Sequence, residues 1–180
     1  MGRERRIHEA GHIYHVTAHG IDDRPIFHDD IDRTHFVNGV SQIVKTYRLR
    51  CYSLCLMSTH YHFPVGLREP NLADAMRKLN GSYSRRFNSR HGRRGALFES
   101  RYRDTRITDD KHLFAALRYI ALNPVPAVAE QPAQWPWSTY GQLIGECKPW
   151  RLLAVPLVLS HFSPRSDEAV RQLRSLVEGF

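Results

Sequence analysis

The stretch Leu49-Arg50-Cys51-Tyr52-Ser53-Leu54-Cys55-Leu56-Met57-Ser58-Thr59-His60-Tyr61-His62-Phe63-Pro64-Val65-Gly66-Leu67 decides the fold. Two apolar runs, residues 49–57 and 60–67, meet at the two-residue break Ser58-Thr59 and read as the strands of an antiparallel hairpin. Pro64 has no amide hydrogen to give to a ladder, which suits an edge or a bulge. Side chains at i and i+2 of a strand leave the same face, so His60 and His62 converge on one point while Tyr61 turns away. Two imidazoles so placed can hold one metal ion. With 11 His in the chain, chance alone yields roughly 0.7 such pairs, so the pair needs partners before it means chemistry.

Working outward from the hairpin, residues 13–18 read as a first strand. Asp29 or Asp30 caps a helix whose Phe36, Val37, Val40, Ile43, Val44 and Tyr47 form an apolar stripe. After the hairpin, Asn71 opens a second helix on Leu72, Met76, Leu79, Tyr83 and Phe87, stopped by His91-Gly92. Residues 93–100 form a loop, 101–107 a last strand, and Thr108 caps a third helix that reaches about Leu122. The order strand, helix, strand, strand, helix, strand, helix is the split βαββαβ arrangement of an α+β, ferredoxin-like sandwich with an antiparallel sheet, plus one extra helix. A connector with Pro126, Pro132, Pro136, Trp135 and Trp137 leads to a short helix over 169–177. The expected organisation is one domain over residues 1–145 and a C-terminal extension, 146–180, packed on it or tethered to it.

Charge narrows the function. The chain carries 26 Lys and Arg against 18 Asp and Glu, a formal +8. Residues 77–106 concentrate it, with Arg77, Lys78, Arg85, Arg86, Arg90, Arg93, Arg94, Arg101, Arg103 and Arg106 facing only Glu99 and Asp104. A stripe of this kind favours a polyanion, because binding it releases counterions from phosphates. Arg85, Arg86, Arg93, Arg94, Arg101 and Arg103 are candidate phosphate contacts, and Tyr102 is a candidate exposed ring for stacking unpaired bases. Cys51, Cys55 and Cys147 build no disulfide framework and suit a reducing cytosol. The N-terminus is charged, without the apolar core of a signal peptide, and the longest apolar run, 152–159, is interrupted by Pro156. A cytoplasmic protein with no membrane partner is expected.

Turning about 100° per residue, the third helix gathers Leu113, Phe114, Leu117 and Ile120 on one side and sets Tyr119 well away from them, beside Ala115 and Ala116. Asn123 follows one turn later and is a candidate third metal ligand. Its position before Pro124 places it at the end of the helix. A rival reading makes a zinc site of Cys51, Cys55, His60 and His62, but two cysteines four apart on one strand stand about 13 Å apart. His8, His12, His15 and His19 also cluster, yet as a set of four their spacing fits no single face.

The run from Tyr52 to His62, together with Tyr119-Ile120-Ala121-Leu122-Asn123-Pro124-Val125, resembles the REP-associated tyrosine transposases (RAYTs) of the HUH single-strand endonuclease superfamily. Further matching stretches are Gly11-His12-Ile13-Tyr14-His15-Val16-Thr17, Pro25-Ile26-Phe27 with Asp29-Asp30, Phe87-Asn88 with Arg90-His91-Gly92, Leu97-Phe98-Glu99-Ser100-Arg101-Tyr102, and Trp135-Pro136-Trp137-Ser138-Thr139-Tyr140. The resemblance implies a ferredoxin-like fold and a bacterial DNA transposase. Such an enzyme cuts single-stranded DNA at hairpin-forming, REP-like repeats through a 5′-phosphotyrosine. Tyr119 would then be the nucleophile and His60 and His62 ligands of Mg²⁺ or Mn²⁺, and the RAYT likeness leans toward a monomer. Three residues depart from the usual pattern after the tyrosine, Ala121, Pro126 and Val128 replacing His, Arg and Gly, and Ser58-Thr59 replaces Pro-Asn before the histidines. The competing function is a basic nucleic-acid-binding protein, derived from a transposase, that performs no chemistry.

Overall fold

The structure, a computed structural model, describes residues 7–127 and 129–179. The charged residues 1–6 and the departing Val128 lie outside the described residues. Strand β1 (Ile13–His19) leads to helix α1 (Asp30–Thr46), the two short strands β2 (Arg50–Cys51) and β3 (Cys55–Leu56), and strand β4 (His60–Gly66). Helix α2 (Leu72–Arg90), strand β5 (Arg103–Ile107) and helix α3 (Asp110–Leu122) follow, then the shorter α4 (Tyr140–Leu143), α5 (Val155–Ser160) and the C-terminal α6 (Ser166–Glu178). Among the described residues, the ladders between these strands are antiparallel. β2 and β3 both lie on one side of β4, β1 on its other side, and β5 beyond β1. Counting β2 and β3 as one interrupted strand recovers the ferredoxin-like order.

That interruption corrects the single strand expected over 49–57. Cys51 pairs with Val65 and Cys55 with His62, so residues 52–54 stand opposite only Phe63 and Pro64. One residue is in excess, which is a β-bulge. Tyr52 N–H donates to the Pro64 carbonyl at 3.0 Å, so the side of Pro64 that lacks a donor faces the bulge, where no regular ladder asks for one. The last strand starts at Arg103 rather than 101. Helix α3 is capped by Asp109 rather than Thr108, the Asp109 carboxylate accepting the His112 N–H at 2.8 Å. Asp29 caps α1 by accepting from Asp32 N–H.

One face of the sheet carries the main core. Val16, Tyr61, Phe63 and Val65 project from β1 and β4 against Phe36 and Val40 of α1 and Met76 and Leu79 of α2, all buried. Complete burial of each large apolar side chain stabilises by roughly 1.5–3 kcal/mol, so this layer holds the sheet and leaves the opposite face to other duties. Tyr61 joins the layer through its ring, 4.7 Å from Phe36, and satisfies its hydroxyl on Asn80 Oδ1 at 2.9 Å.

The segment beyond α3 clasps the domain. Leu56 N–H donates to the Trp137 carbonyl, Thr139 N–H to the Leu54 carbonyl, and Trp135 Nε1–H to the Leu56 carbonyl, so this stretch runs along the outer side of β3. In α6, Ala169, Leu173 and Val177 recur at four-residue spacing and are buried in the same hydrophobic cluster as Val16 and Phe36. Phe114 of α3 stacks on Phe162, ring centroids 4.3 Å apart, and Arg118 Nε donates to the Leu176 carbonyl. Among the described residues, no helix is long and apolar enough to cross a membrane.

Candidate active site

Because Tyr61 turns into the main core, its neighbours His60 and His62 leave the sheet on the opposite face, where α3 lies. Their rings stand 5.0 Å apart and nearly perpendicular. Tyr119, 55% exposed, sets its ring at 90° to His62 with centroids 5.3 Å apart. One helical turn on, Asn123 Oδ1 lies 3.3 Å from His60 Nε2. Asn123 keeps helical backbone angles, φ −54° and ψ −37°, although a following proline usually pushes a residue toward the extended region. Its amide therefore points along the same helix face as Tyr119. The His62 Nε2 is buried without a hydrogen-bond partner among the described residues. Two imidazole nitrogens, one of them buried without a partner, and an amide oxygen suit a divalent ion with coordination positions left open.

Electrostatics keep these imidazoles neutral. His62 is held down to about 3, first by burial and then by His15, His60 and His19 around it. Burial and His19 also lower His60, with the Asn123 contact opposing them. Neutral imidazole is the form that binds metal.

The structure adds two residues. Thr17 pairs with His62 and His19 with His60 across β1 and β4, so His15 and His19, two positions either side of Thr17, share the imidazole face. His15 Nε2 lies 3.1 Å from His62 Nδ1, and burial brings His15 down to about 4, with His112 adding a smaller push. His19 stacks on His60. Their even spacing on a strand was the available signal, hidden when all four nearby histidines are treated as one set. His8 and His12 do lie elsewhere, against Asp104 and Glu9.

Several expectations are corrected. Ala116 is buried in the core rather than beside Tyr119, whereas Ala115 is exposed and lines a shallow recess of about 360 Å³ with Tyr119, Arg118, Asn123 and Pro126. Ala121, where the RAYT pattern has His, is buried at 3%, and Pro126 brings no charge to the recess where the pattern has Arg. Tyr102 is 6% exposed and part of the core cluster, so its ring cannot lie open to stacking bases.

The zinc alternative fails on geometry. Among the described residues, only His28, Asp32 and His91 bring three His, Cys, Asp or Glu ligand atoms within 4.8 Å of one another. Burial pushes the Cys55 thiol up to about 12 and Cys51 higher still, so neither is a reactive thiolate. The His28 group in turn already has its cation. Arg90 Nη1 lies 2.6 Å from Asp32 Oδ1 and 3.1 Å from His91 Nε2, and Arg90 also forks onto Asp29. A divalent ion there would meet a guanidinium, which makes this group a poor place for a metal.

The basic stripe is thinner than its composition. Arg77 pairs with Asp74, Arg90 with Asp29 and Asp32, Arg103 with Glu99 and Arg106 with Glu9. Arg85, Arg86, Arg94 and Arg101 are exposed, and among the described residues none of them has an ion pair; Arg93 sits over the Phe87 ring.

A sequence model of the family described as "Transposase IS200 like" matches residues 9–123. A solved structure of a REP-associated tyrosine transposase bound to a REP hairpin aligns with 80% of this chain and 86% of its own, at 18% identity and a TM-score of 0.67. That likeness is one of fold. A Deinococcus radiodurans R1 protein, provisionally assigned as a transposase, aligns with 68% of this chain and 97% of its own at 19% identity and a TM-score of 0.45. No curated protein sequence matches significantly.

Proposed function

The chain belongs to the IS200-like transposase family, and from that membership we propose that it is a metal-dependent single-stranded DNA endonuclease that cleaves and rejoins DNA at hairpin-forming repeats through a 5′-phosphotyrosine on Tyr119. The observation that carries this reading is the exposed Tyr119 standing edge-on to a buried His62 whose Nε2 has no partner, with Asn123 brought to His60 by the same helix. The Tyr119 hydroxyl must give up its proton as it attacks. The Tyr119 oxygen attacks phosphorus in line. A phosphorus–oxygen bond to the tyrosine forms as the bond to the 3′ oxygen breaks, and the departing oxygen takes a proton to become a 3′ hydroxyl. One phosphodiester replaces another, so rejoining needs no ATP.

His60, His62 and Asn123 would hold Mg²⁺ or Mn²⁺, which supplies polarisation of the scissile phosphate when bound. Mixed nitrogen and oxygen donors favour Mn²⁺ in vitro. Arg85, Arg86, Arg93, Arg94, Arg101 and Arg103 contact DNA phosphates and orient the strand without reading its sequence. Residues 1–145 form the DNA-processing unit, acting in the cytoplasm, and 146–180 brace the tyrosine helix through Phe162 and Leu176.

The test is incubation of the protein with Mn²⁺ and labelled single-stranded hairpin DNA. Wild type yields a denaturant-resistant covalent adduct, and Tyr119→Phe yields none. DNA binding without an adduct in wild type overturns the catalytic reading in favour of a binding module that retains the exposed arginines alone.

A further inference from the structure

His15 has no assigned part in the chemistry above, yet it makes a side-chain contact with a proposed metal ligand at 3.1 Å, Nε2 to His62 Nδ1. Two facing imidazole nitrogens share one proton, and the direction of sharing decides what His62 can do. If His15 Nε2 donates, neutral His62 must carry its own proton on Nε2. That nitrogen is buried with no partner among the described residues, so a donor would be stranded there with nothing to accept its hydrogen. If His62 Nδ1–H donates instead, Nε2 is a bare lone pair, which a cation can satisfy.

Resting on the metal reading given above, we infer that His15 is the positioning residue for His62: its Nε2 accepts the His62 Nδ1–H, fixes the ring and keeps His62 Nε2 unprotonated for the divalent ion. The fold makes this arrangement hard to avoid. His15 is opposite Pro64 on one side and Thr105 on the other, so it sits in the middle of the sheet, on an inner strand rather than an edge. An outer hydrogen-bond acceptor that sets the tautomer of a ligating histidine is a recurrent way of tuning metal sites, and loss of such a partner costs about 10–100-fold in affinity.

The experiment uses the full chain in two measurements. Long-range ¹⁵N NMR on the metal-free protein reports which His62 nitrogen carries the proton. The expected result is Nδ1–H in wild type and a shift toward Nε2–H in His15→Leu. Mn²⁺ titration followed by electron paramagnetic resonance then gives about 10–100-fold weaker binding for His15→Leu. His15→Gln, whose amide oxygen can accept the same hydrogen bond, recovers most of that loss. Metal-free affinity for hairpin DNA stays level across the three proteins, which separates ligand positioning from general damage. A wild-type His62 protonated on Nε2, or equal Mn²⁺ affinity in wild type and His15→Leu, overturns the role of His15. A wild-type chain that takes up no Mn²⁺ overturns the metal reading itself, and is visible before any variant is made.

Discussion

His19 lies flat against His60, their ring centroids 4.7 Å apart and their planes within 12° of parallel. The stack covers one face of the ring that Asn123 approaches from Nε2 and Thr59 from Nδ1, so His60 is constrained from three directions before any ion arrives. Preorganisation of this kind would spare a divalent ion, on the proposed reading, the cost of ordering its ligands. The two histidines should therefore differ in what their loss does. His60→Ala removes a donor atom and should weaken Mn²⁺ binding by at least about 100-fold, whereas His19→Ala removes only a supporting face and should stay within about 10-fold. Isothermal titration of each variant with Mn²⁺ checks the ranking, and equal losses would contradict it.

Acid should destabilise the fold earlier than its carboxylates alone would. His62 and His15 stand at about 3 and about 4 in the folded chain, against 6.5 for the free side chain. Between pH 6.5 and 4 the unfolded chain binds more protons than the folded one, so stability falls as pH falls through that window and is flat above it for these groups. The Asp29 carboxylate, held at about 2 mainly by Arg90, gives way only below pH 4. Thermal melts of the metal-free protein should show a larger drop in Tm from pH 6.5 to 4.5 than from 8.5 to 6.5. His62→Ala should flatten that slope, by at most about 1.4 kcal/mol per pH unit.

Arg85 and Arg86 sit side by side on the exposed face of α2. For single-stranded DNA each phosphate contact contributes about 0.7 to the slope of log K against log salt. Replacing both by Ala should flatten the slope by about 1.4 and weaken binding to hairpins of different sequence by a similar factor. Fluorescence anisotropy over a salt series measures both effects, and an unchanged slope would remove these residues from the interface.

Leu173 tests whether the last 35 residues are ornament or structure. It is fully buried, on a helix that shares a core with the sheet. Leu173→Ala should cost about 2–5 kcal/mol through lost burial and the cavity left behind. A single cooperative unfolding transition at lower denaturant is expected. Two separated transitions would show α6 to be a unit apart.

Much of this architecture is legible in the amino-acid order because the signals are local. The 3.6-residue stripes of α1 and α2, the Ser58-Thr59 turn and the i, i+2 histidines each depend on near neighbours. What escaped reading depends on register. Which face of β1 meets His60 and His62 is set by pairing across more than 40 residues, so His15 and His19 become site residues only when β1 and β4 align. The bulge opposite Pro64 needs the same cross-strand count. Tyr102 misleads for a related reason: it sits in an arginine-rich run that reads as surface, but the residue just before β5 turns inward. Ala116 lies on the boundary between the two faces of α3, where a few tens of degrees separate core from solvent.

The strap that carries Trp135 and Trp137 occupies the outer side of β3 and takes up peptide groups that a neighbouring copy would otherwise seek. The far border, β5, offers Arg103, Asp104 and Arg106 in close succession, a charged fringe that discourages another strand from zipping on. Continuation of the sheet from one molecule to the next is blocked on one flank and repelled on the other. Tyr119 and the imidazole pair that its ring borders meanwhile come from a single polypeptide.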